Sequence, residues 1–290
     1  MLYQAEGIIL SQTDLGEYDK TVTIFTREEG MVKAVVKGAR RAKAKLGALT
    51  QPFTHGLFQL WRGRSMDRVI QVAVKASHGG LMEDYARMVY AGYLAELLME
   101  LIPQREKNET QFLFFRSVLD CLERKEDPWP VVRWAELGIL SEAGFGPSFS
   151  HCVICGKMPH GPSFTFSMKH GGIVCENCHS RVWSKGQAGG GHEETTVLKV
   201  NGASAGYESP DSEFFIISPG SRKTLEILLD EARNSIIPGD ALPCPRITAK
   251  GKVRSEVGRL VKRYVSFVLE KRLKSMDLVE SIEDDGAMNY

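Results

Sequence analysis

Between Glu29 and Asp67 the chain has no acidic residue, although Asp and Glu together number 36 in 290 residues and nearly balance the 37 lysines and arginines. Long apolar runs are also missing. No stretch approaches the about 20 residues that cross a bilayer, which excludes a membrane helix. The N-terminus MLYQAEGIIL lacks the basic start and extended apolar centre of a signal peptide, so a cytoplasmic protein with no membrane partner is expected. There is no G-x-x-x-x-G-K-[ST], no H-E-x-x-H and no G-x-S-x-G. Paired acids such as Glu28-Glu29 and Glu193-Glu194 fall in turn-like segments where solvation explains them. These absences favour a binding protein over an enzyme, and no catalytic residue is assigned. Cysteine is scarce, with six in all, and four of them form two tight pairs. In a reducing compartment that pattern argues for metal rather than disulfides.

The acid-free stretch begins as a strand pattern, MVKAVVKGARRAKAKLG, and becomes a basic loop. Lys33, Lys37, Arg40, Arg41, Lys43 and Lys45 carry its charge, with Arg62 and Arg64 further on. Such a block repels itself unless an anion binds it, so nucleic acid is the first reading and a solvated loop the second. The near-neutral total conceals segregation. Residues 1–80 hold twelve basic and seven acidic side chains, whereas 81–142 hold seven and twelve. A second basic region, Arg246 to Lys274, has ten basic residues against Glu256 and Glu270.

Tyr3–Leu10, Lys20–Arg27, Met31–Lys37, Phe53–Trp61 and Arg68–Ala76 are rich in β-branched and aromatic residues and separated by turn material. Five short strands in so few residues predict a small closed barrel of the OB type, because closure removes exposed edges. In the third strand Val32, Ala34 and Val36 share one face while Lys33, Val35 and Lys37 share the other. Tyr18, Phe25, Phe53, Phe58 and Trp61 are candidate base-stacking platforms, or else core.

After Gly79-Gly80 the apolar period becomes helical. Leu81 to Leu101 predicts one helix ended by Pro103, Asn108 an N-cap for a second, and Pro128 to Ala143 a third. Cys121 falls in the second as a buried small hydrophobe. Further helices are expected over Arg222–Ser235 and Lys250–Lys274, the latter with one basic face.

Cys152-Val-Ile-Cys155 and Cys175-Glu-Asn-Cys178 enclose 19 residues, the spacing of a four-cysteine zinc site. One structural Zn2+ is expected, because four thiolates leave no position open for water. Cys244, between Pro243 and Pro245, has no partner that would make it a ligand. The class is therefore α+β: an N-terminal five-stranded OB-like β-barrel (1–78), an α-helical bundle domain in two parts (79–148 and 187–276), an inserted four-cysteine zinc module (149–186) and an acidic, disordered tail (277–290). Ser184 to His192 reads as a flexible connector, and TTVLKV and EFFIIS as short strands.

EGIILSQTDLGEYDKTVTIFTREEGMVKAVVKGARR, QPFTHGLFQLWRG, AGYLAELL, the paired C-x-x-C and RYVSFVLEKRLKS together resemble the RecO family of bacterial recombination mediators over nearly the whole chain. The resemblance implies an OB barrel, a helical domain and an inserted zinc module. It further implies binding of single- and double-stranded DNA, annealing of complementary strands, and cooperation with RecR to replace single-strand-binding protein by RecA. Lys37, Arg40 and Arg41 match the family's basic motif, and Cys152, Cys155, Cys175 and Cys178 its zinc ligands. Through the family, the helical domain is expected to receive the acidic C-terminal tail of single-strand-binding protein. Two other readings are an RNA-binding OB protein and a protein adaptor with a basic face.

Overall fold

The computed structural model of the chain describes residues 1–41, 44–186, 213–235 and 244–287. Lys43, TTVLKV and most of the Ser184–His192 connector lie outside the described residues. Strands β1 (Leu2–Leu15), β2 (Asp19–Thr26), β3 (Gly30–Val36), β4 (His55–Trp61) and β5 (Asp67–Ala76) close into a barrel in the order β1-β2-β3-β5-β4. Neighbours are antiparallel except β3 and β5, which run parallel. β1 serves two neighbours: Leu2–Ile8 pairs with β4 and Gly7–Leu15 with β2, with a register shift between Ile9 and Ser11. Such an irregularity bends the strand around the barrel.

The expected alternation in β3 holds. Val32, Ala34 and Val36 are fully buried in the barrel core with Ile9, Ile24 and Phe58, while Lys33 and Lys37 are exposed. A second set, Ile8, Leu10, Phe25 and Phe53, joins the core of the helical region instead. Phe25 meets Phe112 edge-on with ring centres 5.8 Å apart. The barrel is thus welded to the helices through one flank. Gly30 completes that contact: its φ is +65°, and a Cβ there would lie 2.0 Å from the Glu106 carbonyl oxygen, so only glycine fits.

A short helix α1 (Lys45–Ala48) follows β3, and after β5 come α2 (Gly79–Glu83), α3 (Tyr85–Leu101), α4 (Glu109–Arg124) and α5 (Trp129–Glu142). The expected first helix is broken at Asp84, whose carboxylate caps α3 by accepting from the Arg87 amide. Asn108 caps α4 as its sequence position predicts. Every residue of α5 from Trp129 to Leu140 is buried, making it the central helix. Within it Arg133 and Glu136 are fully buried and lie 2.8 Å apart, Tyr93 donates to Glu136 at 2.6 Å, and Glu283 approaches Arg133 at 3.4 Å and Lys262 at 2.6 Å.

The first cysteine pair lies on a turn before strands β6 (Phe164–Ser167) and β7 (Gly172–Val174), and the second where β7 leads into helix α6 (Glu176–Gly186). β8 (Phe214–Ile217), from the EFFIIS segment, pairs antiparallel with β6, so this sheet draws its third strand from beyond the connector. Helices α7 (Pro219–Asn234), α8 (Gly251–Leu269) and α9 (Met276–Ala287) complete the bundle.

Two expectations are corrected. Residues 277–290 were expected as a disordered acidic tail, yet most of them form α9. Met276 and Val279 are fully buried, and Glu96 of α3 accepts from the Lys274 and Ser275 amides at its start. Its acids serve as partners for basic residues of the preceding region: Arg272 pairs with Asp277 and Glu280. Second, Cys244 is not without a partner, and Cys121, buried as expected, is bonded to it in a disulfide. The fold returns the two Cα atoms to 5.5 Å across a separation of 123 residues, a pairing that local pattern does not reveal.

Candidate nucleic-acid interface and four-cysteine centre

β3 delivers Lys37 to the barrel end, and Gly38, at φ +65°, turns the chain sharply there. Asp19, opening β2, accepts from the Gly38 amide and from Lys37 Nζ, each at 2.7 Å. Arg40 donates its amide to the Tyr18 carbonyl at 3.0 Å and its guanidinium to the Gly16 carbonyl at 3.1 Å, and pairs with Asp14 at 3.4 Å. The Arg41 guanidinium lies 5.1 Å from the centre of the Tyr18 ring, a cation–π contact. The β1–β2 hairpin tip and the loop after β3 therefore form one unit around an open depression of about 490 Å3. The Lys37 ammonium, then the Gly38 amide, hold the Asp19 carboxyl below its usual range.

Lys33, Lys37, Arg40 and Arg41 thus share one end and flank of the barrel, with Lys45 exposed at the start of α1. Arg62 and Arg64 stand on the β4–β5 turn; Arg62 pairs with Glu29 at 2.5 Å and lies over the Tyr3 ring at 4.8 Å. Asp14 and Asp19 were not anticipated in this surface. They are distant from the acid-free run in sequence, and the hairpin carries them in. Of the five aromatic candidates Phe25, Phe53 and Phe58 are buried, whereas Tyr18 and Trp61 are 44% and 53% exposed. Arg68 was also missed. It faces outward from β5, a position that the period of two in that strand would have shown.

In the second basic region five of the ten basic residues pair with acids within the chain. Lys252, Arg254, Lys262, Lys271 and Arg272 pair with Glu256, Asp127, Glu283, Glu100 and Asp277 respectively. On the barrel surface Lys37, Arg40 and Arg62 pair with Asp19, Asp14 and Glu29; like those at Lys252, Lys271 and Arg272, these pairs lie on exposed cations, where an ion pair contributes little and exchanges readily.

Cys152, Cys155, Cys175 and Cys178 place their sulfurs within 4.8 Å of one another. A tetrahedron with sulfur about 2.3 Å from its centre has edges of about 3.8 Å, and Cys155 and Cys175 stand 3.7 Å apart. The first pair sits on a tight turn closed by Gly156 N–H to the Cys152 carbonyl at 2.8 Å, with Gly156 at φ +72°. The second spans the start of α6, where Cys175 donates its amide to Cys152 Sγ at 3.3 Å. Burial opposes ionisation of Cys152, but amides from Cys175, Cys155 and Ile154 outweigh it and bring the thiol down to about 6. An amide-stabilised thiolate among three further sulfurs is the donor set of a closed metal site.

Among the described residues no helix is long and apolar enough to cross a membrane. The family models for the N-terminal and C-terminal parts of recombination protein O match residues 1–78 and 82–187. The DNA repair protein RecO of Symbiobacterium thermophilum is 32% identical over 284 residues, 97% of this chain and 98% of that protein. Its counterpart in Nocardioides sp. is 31% identical over 284 residues, 97% and 100% of the two chains. That of Thermobifida fusca is 38% identical over 180 residues, 61% and 73%. Two family models in succession, matches running the length of both chains, a five-stranded barrel and a four-cysteine cluster agree: this chain belongs to the RecO family of DNA repair and recombination proteins.

Proposed function

We propose that the barrel holds DNA by its phosphates, on the surface of Lys33, Lys37, Arg40, Arg41, Lys43, Lys45, Arg62 and Arg64. On that surface the protein would bind single- and double-stranded DNA, anneal complementary strands, and with RecR replace single-strand-binding protein by RecA. The observation that carries this reading is the exposed Lys33–Lys37 face continuing into the acid-free loop, rigidly anchored by Asp19 and the Tyr18 carbonyl. A rigid strand fixes where the charges start, and Gly38 lets the loop follow a backbone. Each phosphate neutralised releases counterions, so log affinity falls against log salt by about 0.7 per contact on single strands and about 0.9 on duplex.

The four cysteines would hold one Zn2+ as a structural ion, its free energy of binding serving as folding energy for the small module. Phe267 of α8, 45% exposed and one turn beyond Arg263, supports the helical domain as the place where the acidic tail of single-strand-binding protein lands. Calorimetry with that tail peptide at low salt, where such pairs are strongest, measures this second contact.

The decisive experiment replaces Lys37, Arg40 and Arg41 together by alanine. The single-strand salt slope should become shallower by about two, with a loss of affinity that is similar for all base sequences. An unchanged affinity and slope would move the principal DNA site away from the barrel. Matched RNA and DNA strands in competition separate the RNA reading, and absence of binding to either at moderate salt favours the adaptor.

A further inference from the structure

The outward face of β1, β4 and β5 is a sheet surface of unusual composition. Directly paired residues share a face, which gives a first row of Leu2, Trp61 and Arg68 and a second of Gln4, Gln59 and Gln71. Leu2, Trp61, Gln4, Arg68 and Gln71 are exposed. Leu2 and Trp61, 46% and 53% exposed, thus stand side by side next to three side-chain amides. The face is also electropositive. Arg62 and Arg64 follow Trp61, Arg68 faces it, Asp67 is buried against Tyr3 and Arg105, and Glu29 is held by Arg62 and Arg105.

This face is continuous with the phosphate-contacting surface. Arg68 pairs on one side with Trp61 and on the other with Val35 of β3, which lies between Lys33 and Lys37 on the exposed side of that strand. From Val35 to Trp61 is therefore two strand spacings, about 10 Å, with an arginine between and Lys33 and Lys37 two residues to either side along β3. A row of cations ending in an exposed indole matches the chemistry of one nucleic-acid strand: phosphates along the cations, a base on the ring. Glutamine amides in the adjacent row can meet base edges. An acidic protein would use the cations but would leave the indole and amides unexplained.

We infer that Trp61 is the base-stacking platform of this protein, receiving an unpaired base from a strand whose phosphates cross Arg68 toward Lys33 and Lys37. The inference rests on the proposed DNA-binding function and names the residue that contacts bases there. A stacked base is held by its ring and is indifferent to salt, so its contribution separates from that of the phosphates. It also requires the base to be unpaired, which makes Trp61 a reader of single strands over duplex on a surface whose cations serve both.

Binding of an oligothymidylate and of an abasic strand of equal length, titrated over a salt series, tests this with the full-length protein. The wild type should prefer the strand with bases by about tenfold. Trp61→Ala should erase most of that preference while leaving the affinity for the abasic strand and both salt slopes unchanged, and Trp61→Phe should restore part of it. Binding to the abasic strand doubles as the folding control. A wild type without preference for bases, a Trp61→Ala protein that keeps the preference, or one that loses the abasic strand as well while its circular dichroism spectrum and melting temperature match the wild type would each overturn the assignment while the DNA-binding function stands; if Trp61→Ala does not fold, Trp61→Phe keeping the full preference overturns it. A wild type that binds neither strand would overturn that function first.

Discussion

Asp19 holds Lys37 by a 2.7 Å ion pair and, through its other oxygen, the Gly38 amide. One carboxylate thereby both shapes the basic loop and occupies its first lysine, for which, on the proposed function, a DNA phosphate would compete. Asp19→Asn keeps an acceptor for Gly38 but releases Lys37 and removes a like charge from the path of the phosphates. Single-strand affinity should rise a few-fold, and the salt slope should steepen by up to about 0.7. Asp19→Ala, lacking the acceptor, should not reproduce the gain. Fluorescence anisotropy over a salt series compares all three.

Protein prepared without chelator should contain one zinc per chain. Cys155→Ser should lose it and loosen the segment around β6, β7 and α6, because metal affinity in a module of this size is folding affinity. Metal analysis and hydrogen exchange over residues 149–186 are the measurements. Binding of DNA by the barrel, which has its own core, should survive in part.

Glu6 is buried and engaged by Lys75 at 2.6 Å, His55 at 2.9 Å and Arg27 at 3.4 Å. Burial opposes its charge, yet hydrogen bonds from Lys75 and His55 outweigh it and hold the carboxyl at about 2. Burial pushes His55 below its usual range, so Lys75 supplies the charge and His55 donates as neutral imidazole. Because the folded value lies below the unfolded one, the stabilisation is complete above about pH 4.5 and is lost as pH falls toward 2. Glu6→Gln should flatten the stability profile in that window, read by urea denaturation at successive pH values.

Arg133 is fully buried between Glu136 and Glu283. The two carboxyls are pushed apart: burial raises Glu136 to about 7, whereas Arg133 and then Lys262 keep Glu283 below its usual range against the effect of burial. Arg133→Ala should cost about 3–5 kcal/mol, because it strands buried carboxyls without their cation. Arg133→Met with Glu136→Leu should recover much of that by replacing charge with apolar volume. Denaturation midpoints at pH 7 give both values.

The barrel was legible because its strands alternate with a period of two and its turns carry glycine; even the division of β3 into a buried valine face and an exposed lysine face follows from spacing. The four sulfurs were legible for a similar reason, since C-x-x-C imposes its own knuckle. What could not be read was anything set by contact between distant segments. Asp14 and Asp19 enter the basic surface from a neighbouring hairpin, Phe25 and Phe53 turn from stacking candidates into a domain interface, and the acids of α9 pair with Lys262 and Arg272 of a basic region that looks free in the sequence. Local pattern gives faces, whereas pairing between faces needs the fold.

The Cys121–Cys244 bond closes a covalent ring across 123 positions. The ring contains α5, both cysteine knuckles, β8 and α7, and the barrel lies wholly outside it. A single backbone nick anywhere between those two cysteines therefore divides the chain without separating it. Such a nicked protein migrates as one species until a dithiol reductant opens the bond, and then as two. The bond lets the inserted module be cut or lengthened while α4 stays tied to the segment that leads into α8.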